Sequence, residues 1–369
     1  MAAITQRVSN YLGGVSKQTD DKKLPNQVRE CLNGYPDPTF GLTKRPGFKW
    51  LANLGTGTTY DNSKWFYIHR DNDERYIGCI KPKPSSGNGD IDIWNAATGV
   101  ACTVTYGTGA QAYLTGARTN YDILTVQDTS IICNNLHTVT TLTAPTYKPK
   151  ARATLVLSGS PVGKYNVTIS DIDGSNAGSI SEYDSPSSAT YDTLLTELKS
   201  RIEGLNISNL VVTKYDDSLQ LLRNSGNTEF KLTAKGGPNS DKLSVVQDQV
   251  DNVGQLPFNS VNGRIVKVIN TNSVNDTYYA IFEAEDGVSG RGVWNETVNP
   301  VLSTGLTDTT MPHELKNTST NTFIFQKIVW TARKVGDDNT NSHPSFVGEK
   351  IEQAFFHNNR LGFLSKDNV

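Results

Sequence analysis

The chain is poor in sulphur, with four cysteines and two methionines among 369 residues. Cys31, Cys79, Cys102 and Cys133 show no C-x-x-C spacing, which removes zinc-ribbon and thioredoxin-type chemistry. Three of them lie in apolar, strand-like runs, so buried free thiols, formed in a reducing compartment, are expected. One-signed charge is also scarce. Lys and Arg number 35 against 37 Asp and Glu, interspersed to a net of −2, and the densest basic run is Lys44-Arg45 with Lys49. A protein that grips nucleic acid through clustered cations is thereby excluded. No apolar run approaches membrane-spanning length, and Ala2 to Arg7 build no apolar leader core.

Catalytic patterns are missing as well. His69, His137, His313, His343 and His357 include no H-x-x-x-H or H-x-x-E-H spacing, and Gly287-Val288-Ser289-Gly290-Arg291 has Arg where a nucleophile elbow needs its second glycine. Gly107-Thr108-Gly109-Ala110-Gln111-Ala112 fits G-x-G-x-x-A, but Thr115-Gly116 follows too soon for the long helix of a dinucleotide site. Asp171-Ile172-Asp173-Gly174-Ser175, with Glu182 at the twelfth position, imitates a calcium loop. Its sixth position is Asn176 rather than glycine and strands flank it, so a hairpin turn is expected. Asp71, Asp73 and Glu74 offer carboxylates only at a solvated hairpin tip. No catalytic residue, metal site or cofactor is therefore assigned.

What is present is turn-punctuated and rich in Thr, Asn, Ser, Gly and Val, the composition of a mostly β protein. At 369 residues it holds two to three domains. Residues 1–60 read as an extended, loop-rich N-terminal arm. Residues 61–146 hold strands over 64–70, 75–81, 90–94 and 100–106, a four-stranded meander resembling a propeller blade, then 122–127, 130–134 and 137–142 as a second set. Residues 147–260 form an inserted α+β domain, with strands over 152–157, 164–170, 179–183, 210–214, 218–224 and 230–234. Its helix spans 190–204, where Thr190 caps the start and Leu194, Leu195, Leu198 and Ile202 make one apolar stripe. Residues 261–342 continue the insertion with strands over 264–270, 277–284, 292–297 and 322–331, and 343–369 return to the propeller-like part.

The last segment organises the rest. Ala354 to His357 and Arg360 to Ser365 read as a β-hairpin about an Asn358-Asn359 type I′ turn. Burial of Phe355, Phe356, Leu361 and Phe363 on both faces is expected, from strands before Pro145 and from chain beyond Val369, because such a hairpin makes an aggregation-prone edge by itself. A truncated propeller is the corresponding expectation.

Several blocks carry a family resemblance. Ser345-Phe346-Val347-Gly348 and Asn359-Arg360-Leu361-Gly362-Phe363, with Met311-Pro312-His313 upstream and Gly13-Gly14 and Gly41-Leu42-Thr43-Lys44-Arg45-Pro46 near the start, resemble the tail nozzle proteins (tail tubular protein B) of podoviruses, the short-tailed bacteriophages. The resemblance implies a structural virion component: a hexameric ring below the portal and adaptor, extending the DNA channel and helping to hold tail fibres. It implies an adaptor of the tail tubular protein A type and a tail fibre protein as partners, genomic DNA passing without sequence-specific contacts, and assembly in the host cytoplasm. The near-neutral, mixed charge suits a conduit that must let phosphate slide past. The alternative is a secreted carbohydrate-binding or glycan-degrading β-propeller, for which Trp50, Trp65, Trp94, Trp294 and Trp330 are available to stack on sugars.

Overall fold

The structure is a computed structural model that describes residues 10–56, 58–83, 87–236, 242–270 and 276–366. The first nine residues of the expected arm, part of the 82–89 loop and residues 367–369 lie outside the described residues. Two compact units are present, residues 1–56 with 96–100 and residues 57–95 with 101–369.

In the first unit, β1 (Gly34–Asp37) and β2 (Gly41–Lys44) form an antiparallel hairpin. Upstream the chain doubles back: Gly13 N–H donates to Asn26 O and Val28 N–H to Gly14 O, both at 3.0 Å. The Gly13-Gly14 pair makes this return possible, since Gly14 has a φ of 75° and a Cβ at Gly13 would lie 2.9 Å from the Asn26 carbonyl oxygen.

The second unit opens with β3 (Lys64–His69), β4 (Arg75–Lys81) and β5 (Asp90–Asn95), an antiparallel meander. The four-stranded reading is corrected here. The chain keeps the Trp94–Ala101 bridge and the Cys102 N–H to Ile93 O bond (2.8 Å) to β5, but the next strand, β6 (Thr103–Tyr106), forms its ladder elsewhere. It meets β5 through the Tyr106 hydroxyl, which accepts from Ile91 N–H at 2.9 Å and donates to Asp90. β7 (Tyr121–Val126) and β8 (Thr129–Asn134) form a hairpin. The strand expected over 137–142 is an extended segment held by single bridges, Thr138 to Lys350 and Thr141 to Leu306, with Val139 buried.

The following lobe contains β9 (Arg152–Leu157), β10 (Lys164–Asp171), β11 (Gly178–Asp184), α1 (Tyr191–Gly204), β12 (Leu210–Lys214), β13 (Ser218–Arg223), β14 (Phe230–Gly236) and β15 (Leu243–Val246). Two sheets, β12-β13-β9-β15 and β11-β10-β14, share one core. Thr190 caps α1, its hydroxyl accepting from Thr193 N–H at 3.2 Å. The buried stripe Leu194, Leu195, Leu198 and Ile202 enters that core, stabilising the lobe by roughly 6–12 kcal/mol before entropy is counted. The sheet-plus-helix reading holds, with a second sheet added.

β16 (Gln249–Val250), β17 (Asn259–Val261), β18 (Ile265–Val268), β19 (Tyr278–Ala284) and β20 (Ser289–Thr297) form a sheet in the order β16-β18-β19-β20-β17. Arg264, wholly buried, bonds it to the lobe. Its guanidinium donates to Val246 O (2.7 Å), Gln247 O (3.3 Å) and Thr154 Oγ1. Burial, with a further push from Arg152, brings its pKa down to about 10.

Near the C-terminal end, β21 (His313–Ser319) and β22 (Thr322–Lys327) pair with each other, and they insert between earlier strands to give β6-β22-β21-β8-β7. β22 runs parallel to β6, and β21 antiparallel to β8. The chain's last hairpin, β23 (Gln353–His357) and β24 (Arg360–Leu364), has the expected turn, with Asn358 and Asn359 at φ 48° and 59°. The class is mostly β, and none of the described sheets is a four-stranded meander.

Candidate functional site

The C-terminal motif residues converge in three dimensions. Met311, buried before β21, meets Phe346 and Val347 from the loop before β23, and Leu361 and Phe363 from β24, around Ile131 and Cys133 of β8. Phe363 is the pivot, with its ring 5.9 Å from Phe346 and 5.8 Å from Trp330 in edge-on geometry. On the opposite face of the hairpin, Phe355 lies across Gly362, where a Cβ would come within 2.2 Å of the ring. That contact explains the glycine of the Leu361-Gly362-Phe363 block. Asp122 Oδ2 accepts from Ala354 N–H at 3.1 Å and ties β23 to β7. Within this chain Ala354 and Phe363 are buried and Phe355 and Leu361 half-buried, while Phe356, on the face of Ala354 but nearer the turn, is 45 % exposed. Ser345, Gly348 and Asn359 are exposed turn and loop positions, and Arg360, the first residue of β24, is exposed as well.

Behind this cluster four rings stack in series. His137 lies 4.6 Å from Tyr113, Tyr113 lies 4.1 Å from His313, and His313 lies 5.4 Å from Phe325. Pro312 and His313 are buried, and His313 Nδ1 is 2.9 Å from Met311 O. Burial pushes the His313 imidazole down to about 4 and lowers His137 as well, so both rings are neutral at pH 7. Tyr113 is pushed upward, chiefly by burial, and its hydroxyl accepts from Asn134 N–H at 2.9 Å. The stack is a packing device: His313 and Tyr113 turn their polar edges to backbone groups, and burial disfavours the charged form of both histidines.

The N-terminal motif residues belong to the other compact unit. Gly13 and Gly14 make the chain return, Gly41, Leu42 and Lys44 lie on β2, and Arg45 and Pro46 follow it. The Arg45 guanidinium sits 4.5 Å from the Phe48 ring centroid. These positions and the C-terminal cluster are thus two separate sets.

The remaining candidates resolve as turns. Asp71 Oδ1 accepts from Asp73 N–H (2.8 Å) and Glu74 N–H (2.7 Å), which lowers its pKa, while Glu74 pairs with Arg70 at 2.5 Å. Asp171 pairs with Arg223 and accepts from Ser175 Oγ at 3.2 Å, so the calcium-like sequence is a hairpin turn between β10 and β11. After Gly107 the chain forms only a short 3-10 turn, Ala110–Tyr113. Burial raises the Cys79 and Cys133 thiols and takes Cys102 up to about 11, the opposite of an activated nucleophile. A cleft of about 660 Å³ beside β15 is lined by Asp217 and Asp251 but by no His, Lys, Arg or Cys. Among the described residues, no three His, Cys, Asp or Glu side chains approach closely enough to hold a metal ion, and no helix is long and apolar enough to cross a membrane. Of the tryptophans, Trp94 is buried against Trp65, and Trp294 donates to Pro257 O at 2.8 Å. These are core roles.

The ladder members Tyr113, His137 and Phe325 escape sequence reading, because nothing in the local pattern of any one of them points to the other three. Comparison with known proteins completes the picture. The family described as bacteriophage nozzle protein matches residues 1–369. The tail tubular protein gp12 of Escherichia phage T7 is 29 % identical over 389 aligned positions, which cover all of this chain and 46 % of that relative. The chain spans about half the length of the curated relative it matches. Neither match points to a glycan-directed propeller.

Proposed function

The chain belongs to the bacteriophage nozzle protein family, and from that premise we propose that it is a structural subunit of a phage tail, part of a hexameric ring that continues the DNA channel below the portal and adaptor. The observation that carries this reading is the match over the whole of residues 1–369. It is supported by the near-neutral charge of −2, which lets a polyanion pass without being held. The proposed role is mechanical, with no reaction catalysed: the Cys79 and Cys133 thiols are buried and raised, the histidines of the ring stack are neutral, and the Asp71 carboxylate is occupied by its own turn's backbone. The adaptor above and the tail fibres at the side are the proposed protein partners. The lobe centred on α1 is proposed to act as a platform toward the adaptor.

Quantitative mass spectrometry of purified virions tests the reading. The protein should be present in a fixed low copy number matching one ring per particle. Infectious virions without it, or with copy numbers that scale with the capsid, would overturn the proposal.

A further inference from the structure

The first compact unit exposes more apolar surface than a free element tolerates. Leu32 and Phe40 are each 79 % exposed, Phe48 90 % and Trp50 77 %, around a two-stranded hairpin. A lone hairpin is marginal in water, and this much exposed apolar side chain on one small unit marks an interaction surface. Covering these four side chains would bury roughly 600 Å², close to one partner's share of a stable protein interface.

Charge selects the occupant. Residues 1–56 contain eight Lys and Arg against four Asp and Glu, a net of +4, so the rest of the chain, out of a total of −2, carries −6. The excess is concentrated where the aromatics are, at Lys44, Arg45 and Lys49 around Phe48 and Trp50, all exposed. On the second unit the β19–β20 hairpin presents the matching chemistry. Glu283 and Glu285 are exposed there beside Val293, with Asp286 and Val288 exposed at the turn, three carboxylates against the one exposed cation Arg291; Val288 and Val293 are 68 % and 59 % exposed. Apolar area of this extent favours a protein surface over a phosphate backbone, which would use the cations and leave Leu32 and Phe40 in water.

We propose that the basic aromatic face of residues 32–50 docks on the acidic β19–β20 hairpin of a second copy of this chain. The contact is heterologous, one patch on a different patch, so repetition closes a ring when the rotation permits. The inference rests on the ring reading above for its closed geometry, and names the surfaces that build it.

Sedimentation equilibrium of the 369-residue chain tests it, with four variants checked for native circular dichroism. Lys44→Glu/Arg45→Glu/Lys49→Glu and Glu283→Lys/Glu285→Lys/Asp286→Lys should each weaken self-association at least about tenfold. Combining both sets in one chain should restore it to within about threefold of the original, because the paired charges are re-formed in reverse. Phe48→Ser/Trp50→Ser should weaken association without restoration by either charge set. Association unchanged in the single-set variants, or an original chain that stays monomeric at about 100 μM, overturns the proposal. So does loss of binding to a short DNA duplex in the Lys44 set with self-association intact, which would make nucleic acid the occupant. One ring per virion together with unchanged self-association would refute these surfaces and leave the ring reading standing.

Discussion

Acidification should destabilise the C-terminal core through His313, by an amount the structure sets. The ring is 1 % exposed, sandwiched between Tyr113 at 4.1 Å and Phe325 at 5.4 Å, and its pKa falls to about 4. Burial is the main cause; His137 and Lys327 push the same way, while Asp308 and the Met311 carbonyl push back. In the unfolded chain a histidine titrates near 6.5. Between those two values the unfolded state binds a proton that the native state refuses, so stability falls as pH falls through this window. Integrating the linkage from pH 7 to pH 5 gives a loss of about 2 kcal/mol from His313 alone, and His137, also lowered, adds in the same direction. The assay is urea unfolding followed by tryptophan fluorescence at both pH values, in the original protein and in His313→Gln. The variant starts from lower stability because the stack is broken, but it should lose about 2 kcal/mol less on acidification, the shared carboxylate contribution cancelling in the difference. Equal pH dependence in the two proteins, or a native His313 resonance titrating near 6.5, would refute the reasoning.

Gly362→Ala places a methyl carbon within 2.2 Å of the Phe355 ring and should cost about 1–3 kcal/mol, much of it recovered on adding Phe355→Ala; calorimetry of the two proteins decides. Phe363→Ala removes the ring shared by Phe346 and Trp330 and should cost about 3–5 kcal/mol in urea unfolding. Arg264→Lys cannot reach Thr154 and the Val246 and Gln247 carbonyls together, and a loss of about 2 kcal/mol is expected, read as an earlier thermal unfolding of the lobe. Maleimide labelling at neutral pH should leave Cys79 and Cys133 unmodified until denaturant is added, since burial excludes the reagent and holds both as thiols.

Local chemistry accounts for what was legible in the sequence. Apolar and β-branched runs bounded by turn residues located β3, β4, β9, β10 and β19, and the cap and stripe of α1 were each visible within fifteen residues. The Asn358-Asn359 turn was legible because asparagine tolerates positive φ by its own local chemistry, with no distant partner needed. What failed was partnership. β6 leaves the meander for β22, more than 200 residues away, and no local signal encodes that parallel pairing. β21 went unread because His313-Glu314-Leu315-Lys316-Asn317 buries polar His313 and Asn317 on the same face as Leu315. Of the motif blocks, those at 311–313, 345–348 and 359–363 were recognisable as a family signature, but their convergence on Phe363 required the fold. The exposure of Phe48 and Trp50 was equally invisible, since an aromatic pair in a loop reads the same buried or bare.

Single-particle reconstruction of the intact tail tests the central claim most directly. The account predicts a closed ring on the tail axis beneath the adaptor, into whose density residues 10–366 fit, enclosing an open channel. Density for this chain found away from the axis, in the capsid shell or the fibres, would contradict it.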